Sequence, residues 1–297
     1  MRAETKPITR VRFALPSERL RPYVTTYYRT DITCAVEGTA VEDYLHPEWP
    51  NLRIIPEGMC DAAIGTQPLR ESAIFSVSGP TSFATRFRLR SGRNWGIGLL
   101  PLGWAALIDA NAGDYADQTA DGMADLAFTG FHPLVTALSQ TERSFEDEHA
   151  LIQAHIEGMI SQSPKHSEAI NIINAALVDP ELTNVTQLSE RVGISVRSVE
   201  RLCKRVFGFP PKLLMRRQRF LRSLSQFMLD PSMKWLSTLD YRYHDQAHFV
   251  RDFRRFMGMN PTAYAKLDKP LLFAAAKARM EIAGEAVQGL HDPQPSD

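Results

Sequence analysis

The feature that most constrains this chain is a pair of similar stretches in its C-terminal half. The first runs from Ser195 to Gly208 and the second from Asp245 to Gly258. Each begins with a residue whose side-chain oxygen can cap a helix, and each stops at a glycine, which readily ends one. Apolar residues recur at helical spacing inside both stretches: Val199, Leu202 and Val206, then Phe249, Phe253 and Phe256. A duplicated helix with one apolar face predicts a repeated unit that buries this face in a core.

Basic side chains occupy the opposite face of both predicted helices. They are Arg197, Arg201 and Lys204 in the first helix, and Arg251, Arg254 and Arg255 in the second. Two such faces predict two helices that contact duplex DNA. The alternative for Arg197 and Arg201 is an ion-pair network with Glu200 on a solvated helix, worth roughly 0.2–0.5 kcal/mol per pair.

The sequence before the first stretch completes a helix-turn-helix unit. Asn184 followed by Gln187 predicts a helix start, and Gly193 supplies the left-handed residue that a tight turn needs. Residues 234–241 are expected to form the matching first helix of the second unit. Between the units, residues 211–229 contain neither Gly nor Pro after the first position and predict one helix of roughly 28 Å. Such a helix can hold two reading helices in successive major grooves, whose centres lie about 34 Å apart.

The second stretch also carries a recognisable sequence signature. Residues 245–255 read DQAHFVRDFRR and residues 258–264 read GMNPTAY. They resemble the D-Q-S-H-F-x-R-x-F-[KR]-[KR] and G-x-[ST]-P-x-x-[YF] signature of AraC/XylS-type bacterial transcription regulators. The resemblance covers residues 166–266, and the first unit matches more loosely, through Gly193, Ser195, Arg197, Arg201, Gly208, Pro211 and Arg219.

This resemblance implies which side chains contact bases. By position they are Arg197, Glu200 and Arg201 in the first helix, and Gln246, Ala247 and Arg251 in the second. We expect the remaining basic residues to bind phosphates, which positions a protein without specifying a sequence: Lys204, Arg205, Arg254 and Arg255.

The second unit departs from the family pattern at two positions. Arg242 replaces the glycine usual in its turn, where a non-glycine residue at positive φ is strained. Ala247 offers no hydrogen bond. We therefore expect the second unit to contribute mainly phosphate and thymine-methyl contacts.

The charge of the chain is unevenly distributed. Its 297 residues carry no net charge, yet residues 181–270 hold 17 Lys and Arg against 8 Asp and Glu. This asymmetry indicates a nucleic-acid partner for the basic part. A chain of this length with 44% hydrophobic residues is expected to form about two domains.

The first half has the pattern of a β-rich domain. Residues 25–100 consist of short apolar runs bounded by Gly, Pro, Asn or Ser, which predicts an antiparallel barrel or sandwich. Helices are expected at residues 101–111, 133–140, 144–161, 166–178 and 271–287, with a domain linker at residues 161–164 and a frayed tail at residues 289–297.

The predicted fold class is therefore α+β. It comprises a barrel- or sandwich-like domain over residues 1–163, an all-α domain of two helix-turn-helix units and a linker helix over residues 164–268, and a C-terminal helix and tail over residues 269–297.

Three motifs in the first half resemble a sensor-like domain that precedes some AraC-type DNA-binding regions. They are residues 46–61, residues 78–80 and residues 96–104. The resemblance implies a compact β-rich fold that senses a molecule or forms a dimer.

The first of these motifs also gathers groups that could carry chemistry. They are His46, Glu48, Glu57, Cys60 and Asp61. Because their spacing matches no metal or nucleophile motif, we expect turn and surface roles, with no metal and no cofactor. The tryptophans at 49, 95 and 104 are expected to be core aromatics, with a ligand pocket as the alternative. Cys203 is expected to be a buried thiol.

These observations predict a DNA-binding transcription regulator rather than an enzyme. An effector or partner at the N-terminal domain would change the placement of the basic domain. Its expected partner is double-stranded DNA; RNA polymerase, an unknown small-molecule effector and a second copy of the chain are compatible with the same interpretation. Since the sequence shows no run of about 18 apolar residues and no signal-peptide pattern, we expect no membrane association and a cytoplasmic location.

Two alternatives stay open at the sequence level. One is a dimerising regulator without a small-molecule effector. The other is a DNA-directed, alkyltransferase-like enzyme, which would need a reactive cysteine in a basic site.

Overall fold

The computed structural model describes residues 7–36, 38–140, 143–229, 243 and 246–291. Within these residues the chain forms a β-rich domain, a helical domain and a C-terminal segment that returns to the β-rich domain. The predicted α+β fold class is confirmed.

In the described part of the chain, ten strands form two antiparallel sheets. The strands are β1 (Ile8–Ala14), β2 (Val24–Thr33), β3 (Val41–Leu45), β4 (Asn51–Ile54), β5 (Cys60–Ile64), β6 (Arg70–Glu71), β7 (Phe75–Ser78), β8 (Thr85–Leu89), β9 (Gly92–Leu99) and β10 (Thr119–Asp121). The six-stranded sheet has the order β1-β2-β9-β4-β7-β10 and the four-stranded sheet the order β3-β8-β5-β6.

Helices account for most of the remaining chain. They are α1 (Pro101–Leu107), α2 (His132–Gln140), α3 (Phe145–Met159), α4 (Ser167–Val178), α5 (Val185–Val192), α6 (Val196–Leu202), α7 (Pro211–Leu229), α8 (Gln246–Met257), α9 (Pro261–Lys266) and α10 (Pro270–Ala283). The predicted linker helix coincides with α7, and the predicted domain linker lies in the loop between α3 and α4.

The six-stranded sheet sorts its side chains by polarity, because successive residues of a strand point to opposite faces. One face is apolar and packs on α1, α2 and α3, through Tyr27, Leu52, Phe75, Val77, Trp95, Ile97 and Leu99. The other face is mostly polar and looks across at the four-stranded sheet, through Thr26, Tyr28, Thr30, Asn51, Arg53, Ser76, Ser78 and Asn94. The apolar core of this domain thus lies under the helices, and a polar-lined cavity lies between the sheets.

Three expectations about element ends need correction. Helix α1 ends at Leu107 rather than at residue 111, because Ile108 is extended and buries its side chain in the core. The expected C-terminal helix ends at Ala283, with Gly284 in the left-handed conformation. Gly289 and Leu290 are buried rather than frayed, and residues 292–297 lie outside the described residues. No helix in the described part of the chain is long and apolar enough to cross a membrane.

Candidate nucleic-acid interface and the cavity behind it

The first helix-turn-helix unit forms as its sequence predicts. The Asn184 side chain accepts from the amide of Gln187 at 3.0 Å and caps α5. Gly193 takes the left-handed conformation with φ 73°, and the Ser195 hydroxyl accepts from the amide of Ser198 at 3.2 Å to cap α6. The predicted apolar stripe of this helix is buried in the helical core: Val199, Leu202 and Val206. These local signals fix the position of the face opposite to the stripe.

The side chains on that opposite face are exposed and are unpaired within the described residues. Arg197, Glu200, Arg201, Lys204 and Arg205 are all exposed. Their side chains form no hydrogen bond or ion pair within the described residues, so the alternative of an Arg197–Glu200–Arg201 ion-pair network is not supported. We call these five side chains the first reading face.

The predicted continuous helix of this unit changes its winding near its end. Regular α-helix stops at Leu202, and residues 203–207 form one π-helical turn before Gly208 at φ 81°. A π turn adds a residue per turn. The wider turn lets the adjacent side chains of Val206 and Phe207 both be buried against neighbouring elements.

The second unit presents a similar face on α8. Gln246, Ala247, Arg251, Arg254 and Arg255 are exposed, and we call them the second reading face. The predicted apolar stripe is fully buried, at Phe249, Phe253 and Phe256. The expected N-cap Asp245, the expected helix at residues 234–241 and the turn residue Arg242 lie outside the described residues.

A buried carboxylate that the sequence analysis missed fixes α8 against the linker helix. Asp252 is 0% exposed and pairs with Arg216 at 2.6 Å and Arg219 at 3.2 Å, both on α7. The Tyr243 hydroxyl donates to the same carboxylate at 3.0 Å. Since breaking a buried ion pair leaves an uncompensated charge, these contacts hold the second reading face in one orientation. In the sequence, the signal for this contact was a charged residue, Asp252, beside the apolar stripe of the predicted helix.

The junction between the β-rich domain and the first unit is built around Trp49. Its ring is fully buried and packs edge-on against Phe207, with ring centroids 5.8 Å apart. The guanidinium of Arg217 on α7 lies 3.9 Å from the Trp49 ring centroid and donates to the Thr81 carbonyl at 2.9 Å. Burial lowers the pKa of Arg217 to about 9, so it stays charged at neutral pH.

Further contacts complete this junction. Gly208, which ends the first reading helix, lies so close to Pro80 that an added Cβ would collide with its ring. The Ala84 amide donates to the Phe256 carbonyl at 2.6 Å. The Tyr264 hydroxyl lies 2.8 Å from His46 Nε2. Burial lowers the pKa of His46 to about 3 and raises that of Tyr264, so the hydroxyl donates to a neutral imidazole.

The three sensor-like motifs therefore meet at this junction. Trp49, Leu100 and Leu102 share one hydrophobic cluster with α4 to α7, and Pro80 touches Gly208. The expectation of turn and surface roles is wrong for His46, Glu48 and Cys60, which are all buried. It fails because the helical domain covers His46 and Glu48, through Tyr264 and Arg217, and because Cys60 points into the space between the sheets.

The cavity between the sheets has a volume of 160 Å³. A network of hydrogen bonds crosses its polar wall: Arg53 donates from Nε to the Tyr28 hydroxyl at 2.9 Å and from Nη1 to the Ser78 hydroxyl at 2.9 Å, and it pairs with Glu48. Trp49, Trp95 and Trp104 do not line the cavity; they are core aromatics, as expected.

The C-terminal segment, residues 269–291, forms one side of this cavity. Its lining residues come from α10 and the chain that follows: Leu271, Leu272, Ala275, Ala276, Arg279, Ala286, Val287 and Gln288. The buried Asp43 carboxylate on β3 accepts from the amides of Leu271 and Leu272, both at 2.9 Å, and caps α10 from another element. Burial raises the pKa of Asp43 to about 6 against the lowering effect of these hydrogen bonds.

The same segment also touches the linker helix. Gln218 of α7 donates to the Gly289 carbonyl, and an added Cβ at Gly289 would press on Leu221 of α7. Gln288 of the segment contacts Thr25 of β2 at 3.4 Å. The C-terminal segment is thus in contact with the cavity and with the helix that joins the two reading units.

Two of the three cysteines, Cys60 and Cys203, offer little nucleophilic chemistry. Cys203 is fully buried, as expected, and burial raises its pKa to about 12. Cys60 is buried at the cavity wall, and burial raises its pKa as well. Both thiols are therefore held in the protonated form. Among the described residues, no three His, Cys, Asp or Glu side chains come together as a metal site.

Comparison with known proteins agrees with the geometry of the helical domain. Residues 188–267 match the family model described as "Helix-turn-helix domain". No curated protein sequence matches the chain. Among solved structures, ToxT from Vibrio cholerae is 12% identical with a TM-score of 0.41, over 88% of this chain and 98% of ToxT. The AraC-like transcriptional activator CuxR is 12% identical with a TM-score of 0.27, over 78% of this chain and 92% of CuxR. At these scores the two structures carry no functional conclusion.

The matched region and the two exposed basic helices define a helix-turn-helix DNA-binding protein. The matched residues include the signature that resembles the AraC/XylS type, and the match supports a DNA-binding transcription regulator.

Proposed function

We propose that this chain regulates transcription by placing α6 and α8 in successive major grooves of duplex DNA, under the control of an effector bound in the β-rich domain. The observation that carries the proposal is the pair of reading faces, exposed on two helices that flank the 19-residue helix α7. Arg197, Arg201 and Arg251 are the principal base readers, and Glu200 and Gln246 assist them. Bidentate arginine contacts to guanine are the commonest specific contacts in the major groove.

The remaining basic residues bind the DNA backbone. Lys204 and Arg205 lie in the π turn after α6, and Arg254 and Arg255 lie in the last turn of α8; all four are exposed. Each phosphate contact contributes affinity that falls as salt rises, without specifying a base.

The effector acts through the domain junction. The cavity wall includes Glu48, whose backbone carbonyl accepts from Arg217 of α7 at 3.4 Å. The C-terminal segment provides a second connection, from Gln288 at the cavity to Gly289 at α7. A ligand with different affinity for two arrangements of these contacts shifts the placement of α7 and hence of both reading faces.

The alkyltransferase alternative is not favoured at Cys60 or Cys203. It needs an accessible thiolate in a basic site, whereas Cys60 and Cys203 are buried with raised pKa values.

Single arginine substitutions test the base readers. We expect Arg201→Ala and Arg251→Ala each to weaken binding at the cognate site by about 1–3 kcal/mol and to relax one base position. Binding would be measured by fluorescence anisotropy on the chain's own upstream DNA, with every base pair of the site varied in turn.

The matched control is Arg191→Ala, which removes an exposed arginine of α5 that pairs with Asp179 and belongs to neither reading face. Its binding should equal that of the wild type. If Arg201→Ala and Arg251→Ala bind the site with wild-type affinity and specificity, the assignment of base readers is wrong.

A further inference from the structure

One charged group at the cavity wall has no counter-ion. Arg279 on α10 lines the cavity and is 5% exposed. Its Nη1 donates to the Thr26 hydroxyl, whereas Nε and Nη2 have no hydrogen-bond partner in the structure. Within the described residues Arg279 forms no ion pair. A buried charge without a counter-ion is energetically costly, and proteins usually pair such a charge with one of opposite sign.

The other charges of the cavity do not neutralise Arg279. Glu48 pairs directly with Arg53, so that these two charges cancel. Glu48 and Glu285 attract Arg279 only at longer range, and His46 stays neutral because burial lowers its pKa to about 3. Burial also lowers the pKa of Arg279, to about 10, which leaves it charged at neutral pH. The cavity therefore holds one uncompensated positive charge.

The two unpartnered nitrogens define the shape of a suitable anion. Nε–H and one N–H of Nη2 point in the same direction along one edge of the planar guanidinium. This edge is the side that forms two parallel hydrogen bonds to a carboxylate. A single uncompensated charge matches a monoanion.

Other lining residues of the cavity match an apolar group. They are hydrophobic side chains of the four-stranded sheet and of α10: Leu45, Ala62, Phe87, Leu89, Leu271 and Leu272. The volume is 160 Å³, close to an engineered apolar cavity of about 150 Å³ that binds benzene. The space therefore suits a body of about six carbon atoms.

We propose that the cavity binds a small monocarboxylate whose carboxylate pairs with Nε and Nη2 of Arg279 and whose apolar body packs on Phe87 and Leu271. The proposal rests on the effector site of the proposed function and names the chemistry of its ligand. Arg279 lies on the C-terminal segment, which also contacts α7, whereas Phe87 lies on the four-stranded sheet. A ligand that contacts both residues strengthens the packing of this segment on the sheet.

Calorimetric titration of the full chain tests the proposal without DNA. The probe is hexanoate, and hexanamide is its neutral counterpart of equal size. We expect saturable binding of hexanoate at least about tenfold tighter than that of hexanamide. Arg279→Met should weaken hexanoate about tenfold or more and leave hexanamide unchanged, and Arg279→Lys should recover part of the loss.

The control variant is Arg88→Met, which removes an exposed arginine paired with Glu42 on the outside of the small sheet. It should bind hexanoate as the wild type does. The proposal is overturned if the wild type binds hexanamide as tightly as hexanoate, or if Arg279→Met retains full hexanoate affinity. It is also overturned if no straight-chain carboxylate from butanoate to octanoate binds at up to about 10 mM. Because none of these measurements involves DNA, a negative result for carboxylate binding is distinguishable from a negative result for the DNA-reading residues.

Discussion

Single residues at the domain junction make the stability of this protein sensitive to acid. His46 is buried and accepts a hydrogen bond from Tyr264, and its pKa is lowered to about 3 by burial. The unfolded chain protonates this side chain near pH 6.5. Between these two values the unfolded state binds the extra proton, so stability is present above pH 6.5 and is lost as the pH falls. Asp43 acts in the opposite direction between pH 3.8 and about 6, because its pKa is raised.

We expect His46→Gln to reduce this acid sensitivity. Glutamine can still accept from Tyr264 but takes up no proton. One proton is worth about 1.4 kcal/mol per pH unit, so the wild type should lose about 2 kcal/mol more than the variant between pH 7 and pH 5. Urea unfolding at the two pH values measures the difference, and comparison of the two proteins cancels the effect of Asp43. Equal losses in both would contradict the assignment.

At the scale of elements, the two reading helices end alike but in different surroundings. Gly208 and Gly258 both follow the helix in the left-handed conformation, with φ 81° and φ 71°. A Cβ at Gly208 would collide with Pro80 of the β-rich domain, whereas a Cβ at Gly258 would meet nothing within 4 Å. At these glycines, the end of the first reading helix therefore packs against the β-rich domain, whereas the Cβ position of Gly258 faces open space.

This contrast predicts different costs for the same substitution. Gly208→Ala and Gly258→Ala should each lose about 1 kcal/mol of stability from the left-handed backbone. Gly208→Ala should lose a further 1–3 kcal/mol or so, because Pro80 must move away. Thermal unfolding of the two variants measures the difference directly. A loss at Gly258 as large as that at Gly208 would show that Pro80 does not hold the helix end.

The elements of the first helix-turn-helix unit could be predicted almost residue by residue, whereas the junction could not. The caps at Asn184 and Ser195 and the turn at Gly193 depend on neighbours within a few positions, so the sequence pattern contains them. Trp49 packs on Phe207 and Arg217, which are far away in the sequence. Local patterns do not specify such pairs.

The candidate cavity escaped the sequence analysis for a related reason. The usual pattern for a sandwich puts apolar residues between the sheets. Here the six-stranded sheet directs residues such as Arg53 and Asn94 to that side. Its apolar residues lie under the helices instead, and alternation alone does not tell which face is which. Arg279 lines the cavity from the C-terminal segment, for which the sequence predicted only an additional helix.

At the scale of the whole molecule, Trp49 should couple the two domains. Trp49→Ala and Trp104→Ala both remove a fully buried ring, at a cost of about 3–5 kcal/mol each. Trp49 lies in the cluster shared with α4 to α7, whereas Trp104 lies in the core under the six-stranded sheet. Native-state hydrogen exchange should show α4 to α7 opening independently of the sheets in Trp49→Ala only. Equal behaviour of the two variants would contradict the coupling.

The central claim is that two basic faces on one chain read duplex DNA, and a salt-dependent titration tests it most directly. The full chain would be titrated against its own upstream DNA across a salt series, with random duplex of the same length as the control. We predict tight, selective binding to the upstream DNA, with an affinity that falls steeply with salt because several phosphates are neutralised together. Equal, weak binding to both duplexes at every salt concentration would contradict the claim.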